Sequence, residues 1–197
     1  MDLNYRPNFI FPVPLHQFDV NGFDRIQNKL IDYAYRLKRK DSKGRMVSNC
    51  DAWQSNSFSI TDQSDELHNF LMSCVTTLPF IKKEKNISSS AWVNINPNGG
   101  CNKRHNHPNC DLAGVLWIKC PQNCGEIIFY NPNNFEISNT LYAYGDQFKV
   151  NTGVQARHIV TPIEGKILIF PSHLDHEVEK NKSNQDRISV SFNIVFK

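Results

Sequence analysis

The chain predicts a mainly β fold with flanking helices, a sandwich or jelly roll preceded by two amphipathic helices, on three observations. Apolar residues recur at helical spacing ahead of residue 88, the period changes to two from Ser89, and short Asn-, Pro- and Gly-rich turns separate the later segments. The 197 residues suit one domain, which at that length buries about 70% of the surface its unfolded form exposes. Within it, 1–88 is expected to form a helical and extended segment packing on a β core at 89–197.

Taken in order, Asn21 is placed to cap a helix whose stripe is Phe23, Ile26, Leu30, Ala34 and Leu37, with Gly44 ending the charged segment that follows. Ser64 is placed to cap a second helix, with Asp65 and Glu66 in its first turn. Its stripe is Leu67, Phe70, Leu71, Cys74 and Leu78, before Pro79 stops it. Strands follow at about 90–96, 112–119, 125–130, 158–163, 166–170 and 187–196. Asn96-Pro-Asn-Gly-Gly100, Asn131-Pro-Asn-Asn134 and Ile163-Glu-Gly-Lys166 supply turns between them. Trp92, Trp117, Phe129 and Tyr130 read as core or pocket wall, and Tyr142 and Tyr144 as a strand or loop able to line a cleft.

Composition narrows the function classes. The formal charge is +3, and the basic runs at 36–40 and 82–85 follow candidate helices, where cations favour the negative end of the helix dipole. That argues against a nucleic-acid partner. No apolar run approaches membrane-spanning length and no leader pattern opens the chain, so a cytoplasmic protein without a membrane partner is expected. A homodimer is compatible with the sequence. The six cysteines, at 50, 74, 101, 110, 120 and 124, offer one close pair, Cys120-Pro-Gln-Asn-Cys124, and no second pair at zinc-finger spacing. Reduced, structural cysteines are expected.

Chemistry concentrates in the second half. On the last strand, Arg187, Ser189, Ser191 and Asn193 share one face while Ile188, Val190, Phe192, Ile194 and Phe196 share the other. His176 follows the apolar strand 167–170, at the mouth where ligands bind in such folds, with His173 as its competitor. Upstream, His105 and His107 project to one side of an extended segment, so both imidazoles can converge on one ion. Two ligand sets follow: His105, His107 and His176, or one histidine of the pair with Asp111 and His176. The second needs a turn at 108–110, since a straight strand holds Asp111 roughly 13 Å from His107. A metal beside the guanidinium of Arg187 and the hydroxyl of Ser189 is an arrangement for a metal and a dicarboxylate cosubstrate together. Asn94 and Asn193 are candidates for further polar contacts to that cosubstrate.

The run Trp92-Val-Asn-Ile-Asn-Pro97, His105-Asn-His-Pro108, Leu112-Ala-Gly-Val-Leu-Trp117, Phe170-Pro171, His176-Glu-Val178 and Arg187-Ile-Ser-Val-Ser-Phe-Asn193 resembles the small iron(II)/2-oxoglutarate-dependent oxygenases of bacteria and phages, a branch of the prolyl-hydroxylase-like group. Phe11-Pro-Val-Pro14 and Trp53-Gln-Ser55 extend the resemblance weakly into the first half. It implies a double-stranded β-helix, a mononuclear Fe(II), dioxygen, and 2-oxoglutarate held at its distal carboxylate by Arg187 and Ser189. The wider group has His-x-Asp where this chain has His105-Asn-His107. A site of three imidazoles is one negative charge short of the usual facial triad. The substrate, a small molecule or a peptidyl side chain, is not encoded in any readable motif. A metal-binding cupin without 2-oxoglutarate has no use for Arg187, and a non-catalytic jelly-roll binding module has no use for metal or clamp.

Overall fold

In a computed structural model, residues 12–59, 66–78, 87–133 and 140–197 are described. Two antiparallel sheets form a jelly roll. The major sheet takes the order β1 (His16–Asp19), β10 (Lys166–Pro171), β7 (Leu112–Lys119), β12 (Arg187–Phe196), β5 (Ile87–Asn96) and β3 (Trp53–Gln54), with β4 (Phe58–Ser59) also on β5. The minor sheet takes the order β2 (Asn49–Cys50), β6 (Cys101–His105), β11 (His176–Val178), β8 (Ile127–Tyr130) and β9 (Arg157–Val160).

Strand alternation divides the core into two layers. Ile188, Val190, Phe192 and Ile194 of β12, with Ala91, Val93 and Ile95 of β5, turn to one side of the major sheet. Leu30 and Ala34 of α1 (Asp24–Lys40) and Leu71 and Val75 of α2 (Glu66–Thr76) cover that side, so both helices pack on one sheet as expected. On the opposite side, Ala113, Val115 and Trp117 of β7 and Leu168 and Phe170 of β10 meet Ile127 and Phe129 of β8. The polar face of β12 points into this second layer rather than into water. Gly114 makes the first layer fit: a Cβ there would stand 2.3 Å from Cζ of Phe192, a distance that no repacking of a buried aromatic ring absorbs cheaply.

Several local readings are corrected. Asn21 does not cap α1; a turn with Gly22 at positive φ intervenes and the helix starts after Phe23, without a side-chain cap. The basic residues Lys38, Arg39 and Lys40 do occupy its last turn. Ser64 and its capping role lie outside the described residues, as do the 82–85 run and Phe11. Of the two tyrosines expected on a strand or loop, Tyr142 lies instead in the short helix α3 (Thr140–Ala143), while Tyr144 is in the bend leading into α4 (Asp146–Thr152), which Gly153 ends in the left-handed conformation. Among the described residues, no helix is long and apolar enough to cross a membrane.

Candidate metal centre

Three elements of the minor sheet and its connections bring the histidines together. His105 ends β6 and His176 begins β11, and the two are direct antiparallel partners in the ladder. His107 lies two residues beyond β6, in a segment tied to the β10–β11 connection by its own N–H donating to the carbonyl of Ser172 at 2.9 Å. Asp175 tightens the same junction, accepting from Arg104 Nε and Asn106 Nδ2, each at 3.0 Å. The ring centroids lie 4.4 Å apart for His105 and His176, 5.1 Å for His107 and His176, and 5.2 Å for His105 and His107. One donor atom from each ring falls within 4.8 Å of the others.

The hydrogen bonds decide which nitrogen is free. Nδ1 of His105 lies 2.6 Å from the carbonyl of Lys103, Nδ1 of His107 lies 2.6 Å from Oδ1 of Asn193, and Nδ1 of His176 lies 2.9 Å from the carbonyl of Leu174. A carbonyl oxygen only accepts, so each Nδ1 carries the proton and donates it. Each Nε2 therefore presents a lone pair, the form a metal needs. Burial favours the same form. It pushes all three imidazole pKa values down, and for His176, with His105 beside it, to about 3. Trp92 stacks on the outer side of His107, with centroids 5.7 Å apart.

The alternative ligand, Asp111, stands apart. Its carboxylate is exposed and accepts the backbone N–H of Phe196 at 2.8 Å, because 108–111 turns toward the end of β12 and not toward the histidines. His173, the competitor of His176, is likewise exposed.

The histidines form one end of a cavity whose far wall is Arg187. Ser189, Ser191, Asn94, Asn96 and Asn102 give it a polar side, and Trp117, Ile127, Phe170 and Val178 an apolar one. Arg187 is 1% exposed, which is unusual enough for a guanidinium to need a reason. Its Nη1 donates to the carbonyls of Cys124 and, at 3.1 Å, Glu179. Its Nη2 is buried and has no partner. Among the described residues no carboxylate pairs with it, and burial pushes its pKa below the ordinary value. The cradle is built by the segment after β7. Gly125 sits at φ +86 with its α-carbon against Glu179, where a Cβ would stand 2.6 Å from the Glu179 carbonyl.

Asn94 lines the cavity as expected, donating from Nδ2 to Ser191 Oγ at 2.9 Å with its buried Oδ1 unpartnered. Asn193 does not line it. Its Oδ1 accepts the Nδ1 proton of His107, so it stands on β12 against that ring. Sequence reasoning missed Ser48 and Asn102 in the cavity, Asp175 behind the histidines and the Cys124 and Glu179 carbonyls behind Arg187. Backbone acceptors and loop-to-loop struts leave no residue-type signal; Asp175, adjacent to His176, is the one a reader could have tried.

A convergent set of imidazole lone pairs and a buried cation lining the same cavity, in a jelly roll, suit a metal ion and an anionic ligand side by side. The family model described as "Putative 2OG-Fe(II) oxygenase" matches residues 90–193, from β5 to β12, and the chain belongs to that family. It is therefore an oxygenase that uses Fe(II), 2-oxoglutarate and dioxygen. Among solved structures it resembles a Pseudomonas putida prolyl-4-hydroxylase at 12% identity and TM-score 0.61, over 93% of this chain and 92% of that one. It also resembles a Trichoplax adhaerens prolyl hydroxylase, solved with a hypoxia inducible factor peptide fragment, at 13% identity and TM-score 0.61, over 92% and 83% of the two chains. The epimerase SnoN, solved with Fe3+, alpha ketoglutarate and nogalamycin RO, matches at 11% identity and TM-score 0.62, over 92% and 78%. At these identities the likeness is one of fold. No curated protein matches the sequence.

Proposed function

We propose that His105, His107 and His176 hold Fe(II) through Nε2, that Arg187 and Ser189 bind the distal carboxylate of 2-oxoglutarate, and that the protein hydroxylates a small-molecule or peptidyl substrate. One observation carries this: Arg187 is, among the described residues, the only cation in the wall of the cavity that the three imidazoles also line, and its buried Nη2 has no partner. A buried unpaired charge costs on the order of several kcal/mol, which an anionic ligand offsets.

When bound, the metal and cosubstrate supply the oxidation, in which 2-oxoglutarate becomes succinate and carbon dioxide and one oxygen atom enters a substrate C–H bond. The protein's part is positioning. The Nδ1 bonds to Lys103, Asn193 and Leu174 fix the three ring planes before any ligand arrives, so little reorganisation remains. Nη1 of Arg187 is held by backbone carbonyls, which fixes the guanidinium plane and leaves Nη2 for a charge-assisted contact with a carboxylate. Ser189 adds a hydroxyl to the same carboxylate. Trp117, Ile127, Phe170 and Val178 keep water from the contact, and a lower local dielectric strengthens it. Asn94 offers its free amide oxygen to a donor on the substrate. Three neutral imidazoles leave the metal's charge undiminished, so they favour a dianionic cosubstrate.

The purified protein with Fe(II), ascorbate and 2-oxoglutarate is expected to release succinate slowly even without its substrate. Absence of both succinate release and 2-oxoglutarate binding would contradict the proposal.

A further inference from the structure

Asn102 and His105 both line the cavity although they stand three residues apart on β6, an odd spacing that a regular strand turns to opposite faces. The ladder with β11 shows why. His176 pairs with His105 and Val178 with Asn102, so Lys103 and Arg104 together face the single residue Glu177. Two residues against one make a β-bulge, which bends its strand and re-aims the side chains beyond it. With the bulge, His105 comes onto the cavity face. Without it, the alternation that starts at Asn102 would carry His105 to the outer face of the minor sheet.

Both bulge residues are tied to the ligands. The carbonyl of Lys103 accepts the Nδ1 proton of His105 at 2.6 Å, while its N–H donates to the carbonyl of Ser48 at 2.9 Å. Arg104 and Asn106, the residues on either side of His105, donate from Nε and Nδ2 to the carboxylate of Asp175, each at 3.0 Å. The Asp175 carbonyl accepts the N–H of Tyr130 at 2.9 Å, and the Arg104 guanidinium lies 3.8 Å from the centroid of the Tyr130 ring. Asp175 immediately precedes His176. One carboxylate therefore grips both neighbours of His105 and sets them against the residue next to His176. His107 has a separate anchorage, with its N–H on Ser172 and its Nδ1 on Asn193.

We propose that the bulge at Lys103 and Arg104 is what makes His105 a metal ligand, and that Asp175 is a positioning residue that locks the bulge and so acts on His105 and not on His107. The inference rests on the assignment of the three histidines to the metal, and it deepens that assignment by making one of them depend on a carboxylate outside the ligand set. The Arg104–Asp175 pair is substantially exposed, at 47% and 37% for the two side chains. Exposed ion pairs contribute little to stability, so the role of this one is geometric. A strand that slips out of its bulge turns a side chain to the opposite face, and an imidazole on that face cannot reach the ion.

The test uses the full chain and two metals. Mn(II) reports affinity by titration, and Cu(II) reports the number of bound nitrogens through the superhyperfine splitting of its electron paramagnetic resonance spectrum. The parent protein should show three nitrogens. Asp175→Ala should show two and bind Mn(II) about 10- to 100-fold more weakly, the loss typical when a group that orients a ligand is removed. Asp175→Glu, which keeps a carboxylate within reach, should return the third nitrogen and most of the affinity. On a His105→Ala background, Asp175→Ala should change Mn(II) affinity by less than about twofold, because the ring it positions is already gone. Arg104→Gln loosens the same lock from an exposed position and should weaken Mn(II) binding by a smaller factor, so the proposal stays testable if Asp175→Ala does not fold. Three nitrogens in Asp175→Ala, unchanged Mn(II) affinity in both Asp175→Ala and Arg104→Gln, or an equal loss with and without His105 would overturn it. If the parent and His105→Ala bind metal equally, His105 is no ligand; the ligand assignment then fails first and the proposal falls with it.

Discussion

The two ends of the cavity meet opposite electrostatic problems with the same device. At one end three imidazoles, two buried and one half-buried, present lone pairs that suit a cation. At the other a buried guanidinium keeps an unpartnered Nη2 that suits an anion. In both, backbone carbonyls take one ring or guanidinium nitrogen and leave the other free: Lys103 and Leu174 for two histidines, Cys124 and Glu179 for Arg187. The lesson is that polarity in this cavity is rationed. Each functional side chain is half satisfied by the protein and half reserved for a ligand, which is what distinguishes a binding site from a buried polar network closed on itself.

The largest break in the comparison should come from His176→Ala, the most buried of the three imidazoles. We expect it to abolish stoichiometric Fe(II) or Mn(II) binding and all succinate formation, measured by metal analysis after desalting and by product assay. Next is Asn193→Ala, which removes the acceptor for the Nδ1 proton of His107 without removing a ligand. Metal affinity should fall by about 10- to 100-fold, the range typical when the group orienting a ligating histidine is lost. Asn193→Asp should recover most of it, a rescue that a purely structural role would not produce.

Acidification should act on the histidine end first. The folded-state pKa of His176 is lowered to about 3 from an ordinary 6.5, and His105 and His107 are lowered too. Above pH 6.5 neither the folded nor the unfolded metal-free protein gains a proton at these rings, so nothing is lost. Below it the unfolded chain takes up protons that the folded protein refuses, and stability declines as pH falls toward 3. Urea midpoints of the metal-free protein should therefore drop between pH 6.5 and pH 4, and His176→Ala should flatten that slope. The smallest effect is expected from Asp111→Asn. It should leave metal content unchanged and cost about 1 kcal/mol at most, by weakening one exposed hydrogen bond to Phe196.

How legible the molecule was depends on the kind of interaction. The last strand could be read in full, because its alternation is a local code: Ile188 to Ile194 went to the helix-covered layer and Arg187 and Ser189 to the cavity. The helical stripes were legible for the same reason, down to Leu30, Ala34 and Leu71. The choice among His105, His107, Asp111 and His173 was not, since it depends on how the chain turns after Pro108 and on the register that sets His176 opposite His105. Asn193 shows the same limit at finer scale. Alternation gave its face correctly, yet Arg187 and Asn193 stand at opposite ends of that face and serve different partners. The strand β6 went unrecognised because Cys101-Asn-Lys-Arg-His105 is polar on both faces; one lines the cavity and the other carries Arg104 to Asp175. The histidine in place of the expected carboxylate was visible from the motif alone, whereas the bond from its Nδ1 to Asn193 needed the structure.

The claim that the two ends are separable is tested most directly by Arg187→Met, which keeps an apolar side chain of similar reach in the buried position. Titrating Mn(II) and then 2-oxoglutarate into this variant and the parent protein should show metal affinity unchanged within about twofold and cosubstrate affinity lower by roughly 30-fold or more, as expected when one partner of a desolvated charge pair is removed. Equal loss of both affinities would make Arg187 a structural residue, and unchanged 2-oxoglutarate binding would contradict the account outright.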